Sequence, residues 1–278
     1  MEGVKMGDYG VRLEYTGKND RLAVVTIDRP DRKNVFDEAM FNSLEEVSEK
    51  LEEKLPRAVV LTGGGEEAFS AGFDINPDNP QVSGLIDAVN KNDVGPCETL
   101  MLRIKEVVNK LVFLPTPIIC ALNGIAYGGG AELAVRCDMR VMDPKAVICF
   151  SEVSLGLMPD WGGGPALTRL VGPATAADLI LTARRVGAEE ALRLGLANRI
   201  SEGGGALKEA VDIAEAISKN GPRAVRGALS IIRKAPGMSL ERALDLETKT
   251  AAELTATGEC VHGITAFLAK KEPEFPDE

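Results

Sequence analysis

The sequence predicts an α/β fold that gives way to a helical C-terminal region. Short, β-branched apolar runs at 22–27, 57–62 and 118–122 alternate with stretches of helical apolar spacing, and glycine or proline clusters mark the joins. Strands separated by helices of that length imply right-handed crossovers and a largely buried sheet. Beyond about residue 174 helical spacing takes over. The division expected is a core over 1–200 and a helical region over 201–278.

Each element has its own signal. The run 22–27 stops at Asp28-Arg29-Pro30, a clear break. Met40, Leu44, Val47, Leu51 and Leu55 then recur at spacings of four, three, four and four, one apolar face of a helix. The strand at 57–62 ends in Gly63-Gly64-Gly65. Residues 76–96 carry Pro77, Pro80, Pro96 and several Asn and Asp, and read as a loop with one short helix at 85–89. Leu100, Ile104, Val107 and Leu111 give the next helix, which leads into the strand at 118–122. Further strands are expected at 139–142 and 147–150. The helical region is broken by Gly203-Gly204-Gly205 and Pro222.

Composition limits the function. With 278 residues, 45% of them apolar, the chain has ample material for one large core. A net charge of -10 argues against nucleic acid as a partner, because phosphate backbones need clustered Lys and Arg. No run approaches the length of a membrane span, so no membrane partner is expected. Five cysteines without ligand spacing read as mostly buried free thiols in a reducing compartment, which points to the cytoplasm. The single histidine, His262, excludes multi-histidine metal sites and leaves Ser-His-Asp chemistry one candidate near the C-terminus.

The most informative stretch is Asn123-Gly124-Ile125-Ala126-Tyr127-Gly128-Gly129-Gly130-Ala131-Glu132-Leu133. Three consecutive glycines let another molecule approach the main chain, and the free N–H groups of a helix start favour negative charge. Such a corner can hold a developing oxyanion, with the Glu132 carboxylate two positions further on.

Four segments in order resemble the crotonase (enoyl-CoA hydratase/isomerase) superfamily. They are Phe69-Ser70-Ala71-Gly72-Phe73-Asp74-Ile75, the stretch 123–133, Glu152-Val153-Ser154-Leu155-Gly156-Leu157-Met158-Pro159 with Gly162-Gly163, and the closing 263–271. The resemblance runs from about residue 10 to 276. It implies a spiral of ββα units with C-terminal helices that build trimers, often paired as hexamers. It also implies chemistry through a thioester enolate of an acyl-CoA, with backbone N–H groups of Phe73 and Gly129 as the oxyanion hole.

Family members differ in the acids around that hole. Glu132 and Glu152 fall at the places where hydratases hold a water over the double bond of a 2-enoyl-CoA. By that pattern Glu132 activates the water and Glu152 delivers the Cα proton. Asp160 stands where ordinary hydratases have glycine. It fits either a cap for the helix starting near Gly162 or a third carboxylate for double-bond isomerisation, as in enoyl- and dienoyl-CoA isomerases. The resemblance further places Asn34 and the backbone near Ala71 and Asp74 at the CoA moiety, and Lys270 and Lys271 at CoA phosphates, including those on a neighbouring subunit. No cofactor beyond the substrate's own CoA and no metal is expected.

Overall fold

A computed structural model describes residues 9–277; residues 1–8 and 278, the outermost parts of the two expected regions, lie outside the described residues. The chain runs β1 (Gly10–Thr16), β2 (Leu22–Asp28), α1 (Glu38–Glu53), β3 (Ala58–Gly63), β4 (Ala68–Ser70), α2 (Pro80–Lys91) and α3 (Val94–Val112). It continues β5 (Ile118–Leu122), β6 (Ile125–Tyr127), α4 (Gly129–Arg136), β7 (Met139–Met142), β8 (Val147–Cys149), α5 (Gly163–Thr182), β9 (Val186–Gly187), α6 (Ala188–Leu194) and β10 (Arg199–Ile200). Four helices close it: α7 (Ala206–Ser218), α8 (Pro222–Lys234), α9 (Leu240–Ala256) and α10 (Glu259–Leu268).

Two sheets result. The larger has the order β1-β2-β3-β5-β7-β10, antiparallel only between β1 and β2. Its central strands are continuous apolar runs because both faces are covered. Val59 and Leu61 of β3, with Ile118, Cys120 and Leu122 of β5, pack in the main core with α1 and α3. The alternate residues Ala58, Val60, Ile119 and Ala121 meet Ala206, Ala210, Ile213 and Ala214 of α7. The first helix beyond residue 200 therefore closes the second face of the sheet. The smaller sheet, β4-β6-β8-β9, is built from strands of two or three residues. β4, β6 and β8 each follow a strand of the larger sheet in sequence, and β4 and β6 carry the chain into the glycine-rich corner.

One expectation is corrected. Residues 76–96 are not a loop with a single short helix: α2 occupies twelve residues and α3 starts at Val94. The residues that suggested a loop are helix-start and helix-stop signals. Asn79 accepts a hydrogen bond from the Gln81 N–H, and Pro80 takes the first position, where a missing N–H costs nothing. Asn92 ends α2 in the left-handed region (φ 52), and Asp93 caps α3 through the Gly95 N–H. Pro96 sits in the first turn of α3. Two further differences are the short strands β9 and β10 within the stretch read as helical from 174 onward. Cys120, Cys137 and Cys149 are buried free thiols, Cys97 is half-buried and Cys260 is exposed. No described helix is long and apolar enough to cross a membrane.

Candidate active site

Two loops meet at one corner. β4 leads into Ala71-Gly72-Phe73, and β6 leads into Gly128 and the first turn of α4. Gly72 has φ +86, and a Cβ there would stand 2.7 Å from the Gly129 nitrogen and 2.9 Å from the Tyr127 carbonyl oxygen. Only glycine permits that approach. Phe73 forms a parallel bridge with Phe36, in which the Phe36 N–H donates to the Gly72 carbonyl and the Asp74 N–H donates to the Phe36 carbonyl. The Phe73 N–H is left out of that bridge and points away from it. Gly129 is the first residue of α4, so its N–H lies outside the helical ladder. Both residues line a single cavity of about 490 Å³.

The corner is fixed by close packing. A Cβ on Gly130 would fall 2.1 Å from the Ser70 carbonyl oxygen, and one on Gly129 would fall 2.5 Å from Cε2 of Trp161. Trp161 is 1% exposed and meets Phe36 and Phe41 edge-on, with centroids 5.5 and 5.3 Å away. It therefore both lines the cavity and packs. Behind Phe73, Asp74 pairs with the Arg29 guanidinium at 2.8 Å, and Asp37 approaches the same nitrogen at 3.2 Å. Asp74 also accepts from the Asn76 N–H, and its carbonyl accepts from Asn79 Nδ2.

Glu132, Glu152 and Asp160 all line this cavity, so the structure brings the three acids together. Their surroundings differ. Glu132 is fully buried; its Oε1 accepts from the Asp160 N–H (3.1 Å) and its Oε2 from the N–H groups of Trp161 (2.8 Å) and Gly163 (2.7 Å). Glu152, at the start of a short 3-10 turn, is 8% exposed, and neither carboxyl oxygen has a protein partner. Burial pushes the Glu132 carboxyl up to about 8 against the lowering effect of its N–H donors, and the charge of Glu152 adds to the rise. Burial raises Glu152 too. Two coupled acids titrate as a pair. Three N–H donors favour negative charge on Glu132, whereas Glu152 has none.

Asp160 does not cap α5. The residue before that helix is Gly162, with no side-chain cap, and the N–H groups there belong to Glu132. Burial, then the charge of Glu152, raises the Asp160 carboxyl to about 6. By surface area Asp160 counts as exposed, because it faces the open cavity. A ligand that expels water from the cavity strengthens the shift.

The CoA positions divide. Ala71 and Asp74 line the cavity. Asn34 is corrected: it is fully buried, its Oδ1 accepts from the Arg29 N–H, and its Nδ2 donates to the carbonyls of Gly64 and Ala68. No face of it is left for a ligand. Lys270 and Lys271 follow α10 as exposed side chains and do not line the cavity of their own chain. The stretch 76–100, expected to cover the acyl end of the pocket, supplies Leu85 and Val89 of α2 and Leu100 of α3 to the opposite wall; what sequence reasoning missed is that Met101 and Ile104 of α3 extend it.

A family profile for enoyl-CoA hydratase/isomerase matches residues 17–278. The chain belongs to that family. The short-chain-enoyl-CoA hydratase of Clostridium acetobutylicum is 35% identical over 265 residues, which cover 95% of this chain and 96% of that protein. The crotonyl-CoA hydratase of Syntrophomonas wolfei is 32% identical over 259 residues, 93% of this chain and 95% of its own. The crystal structure of an enoyl-CoA hydratase from Bacillus anthracis superposes with a TM-score of 0.86 at 30% identity, over 96% of this chain and 99% of that one. The mixed α/β architecture is that of crotonase-family structures.

Proposed function

We propose that the protein adds water across the double bond of 2-enoyl-CoA thioesters, giving 3-hydroxyacyl-CoA. The observation that carries this reading is two buried carboxyls in unlike surroundings, Glu132 and Glu152, sharing an apolar cavity with the amides of Phe73 and Gly129. The thioester oxygen receives the two N–H groups, which stabilise the enolate as it forms; one such donor is worth roughly 2.7–4 kcal/mol in comparable sites. Glu132, held as an anion, takes a proton from water while its oxygen bonds to Cβ. Glu152 gives its proton to Cα, and exchange between the neighbouring acids restores the starting state. Water addition changes no oxidation level overall, so the reaction needs no redox cofactor; the two N–H groups polarise the thioester carbonyl, and CoA arrives as part of the substrate.

The CoA moiety passes the rim at Ala71 and Asp74 in this reading. Lys270 and Lys271 serve the phosphates of a neighbouring subunit. An assembly, trimer or hexamer, is supported by α9 and α10, which bury no residue within the chain and expose Leu240, Val261, Phe267 and Leu268. The deciding experiment is crotonyl-CoA hydration by wild type and Glu152→Gln. A product heavier by one water from wild type, lost in the variant with CoA binding retained, is the expected result; full turnover by the variant removes Glu152 from the mechanism.

A second reading is double-bond isomerisation using Glu152 and Asp160. It rests on Asp160 lining the same cavity with a carboxyl raised to about 6, near the range of a proton shuttle. Incubation with 3-enoyl- or dienoyl-CoA, giving a product of unchanged mass and moved double bond, would favour it.

A further inference from the structure

A second cavity, of about 420 Å³, lies behind the apolar wall of the first, between α1, α2 and α3. Leu85 and Leu100 line both, and each is half-buried, facing its neighbour cavity on either side. The outer space is bounded by Gly84 and Gln81 of α2, Pro96, Thr99 and Arg103 of α3, and Glu38 at the start of α1. Its lining is mainly apolar, with the Glu38–Arg103 ion pair (3.7 Å) at the solvent side. Nothing but these two side chains is common to the two spaces.

Resting on the hydratase reading, we propose that Leu85 and Leu100 are the partition that sets acyl-chain length, and that the cavity beyond them is the overflow path for the ω-end of a longer chain. A 2-enoyl chain whose C1 to C3 lie between the oxyanion hole and the acids has its tail directed at the α2–α3 wall, because the carboxyls and amides occupy the opposite one. Leucine at both positions ends the apolar channel there. The occupant of the outer cavity is hydrocarbon, since Leu85, Leu100 and Pro96 give it carbon surface, while Glu38 and Arg103 are paired with each other and the Gln81 Nε2 amide donates to Glu38.

Two features make the test clean. Gly84 faces the outer cavity only, and a Cβ there meets nothing within 4 Å. Its helical position accepts a side chain without strain, so a large residue at 84 plugs the outer cavity without entering the first. The half-exposed partition leucines are also among the less costly apolar positions to truncate.

The experiment measures kcat/KM for a series from crotonyl-CoA to 2-hexadecenoyl-CoA with wild type, Leu85→Ala, Leu100→Ala, and each of these combined with Gly84→Phe. Removing either leucine should raise the long-chain to short-chain ratio by about tenfold or more. Adding Gly84→Phe should return the ratio toward wild type. The same ratio is read without chemistry from the affinities of butyryl- and palmitoyl-CoA. A shifted affinity ratio without hydration by any form upholds the partition and overturns the hydratase reading. An unchanged ratio in folded variants, or a gain that Gly84→Phe does not reverse, overturns the partition. Should a truncated variant fail to fold, Leu100→Phe in wild type must lower the ratio; no change would count against the proposal.

Discussion

The Glu132 carboxylate closes the N-terminus of α5, accepting the Gly163 N–H at 2.7 Å. The two residues are 31 positions apart, and the contact is so close that a Cβ on Gly163 would lie 2.4 Å from Glu132 Cγ. A single side chain therefore holds a helix in place and supplies charge to the cavity. The N–H groups at the helix end in turn favour negative charge on that side chain, against the burial that raises its carboxyl.

The pair should show itself in the pH profile. With Glu132 pushed up to about 8 and Glu152 raised beside it, the pair gives up its last proton as pH rises through about 8. Loss of the proton removes the acid that serves Cα. kcat/KM for crotonyl-CoA should fall as pH rises through about 8, approaching tenfold per unit, and Glu152→Gln should abolish that limb together with the activity. A rate flat to pH 10 would contradict the assignment.

Glu152 should also cost stability. Its folded-state value lies above its unfolded one, so the folded protein binds the proton more tightly and loses stability as pH rises above the ordinary carboxylate range. Gln at this position carries no charge to bury. Glu152→Gln should melt higher than wild type by an amount that grows from pH 5 to pH 8, reaching roughly 1–3 kcal/mol. Calorimetry at several pH values checks the trend; equal melting temperatures at pH 8 would show the carboxyl to be well solvated.

Gly129 and Gly164 should respond in opposite ways to alanine. Gly129→Ala drives a methyl into the Trp161 ring, so the amide must move; kcat should drop about 100- to 1,000-fold. Gly164→Ala, inside α5 with nothing within 4 Å, should keep activity and gain up to about 1 kcal/mol. The carbonyl stretch of a bound thioester would report whether the oxyanion hole was lost in the first and kept in the second.

Asn34→Ala separates structure from binding. The side chain holds three main-chain groups together, and the residue has φ +56, which asparagine tolerates better than alanine. Stability should fall by about 2–4 kcal/mol. KM for crotonyl-CoA, measured well below the melting temperature, should stay within about twofold, well under the tenfold that 1.4 kcal/mol of lost binding would give.

Much of this was legible in the sequence. The strands at 118–122 and 139–142 coincide with β5 and β7, the first an unbroken apolar run buried on both faces, the second apolar but for Arg140, whose guanidinium is satisfied by main-chain carbonyls. The corner could be read from Gly72 and the three glycines, where close approach leaves glycine no substitute. Strands β4 and β6 were not legible, since each has three residues and runs straight into a glycine-containing turn, whereas β8, equally short, is part of the apolar run 146–150. The role of Glu132 at α5 was hidden for another reason. Its donors come from residues 160–163, and a carboxylate two residues after a glycine gives no sign of a partner that distant. Asn34 misled because a buried side chain bonded to backbone and one facing a ligand look identical in one dimension.

Arg57 completes its hydrogen bonds late in the chain. Its guanidinium, 7% exposed beside β3, donates to the Phe275 carbonyl 218 positions downstream, and to Pro276 and Asp277. Translation delivers the donor long before these acceptors, so until the last residues are made the guanidinium beside this inner strand has only the Ser218 carbonyl of its folded-state partners. Maturation is thereby tied to the final segment, and a nascent fragment stopped short of residue 275 should stay bound to chaperones.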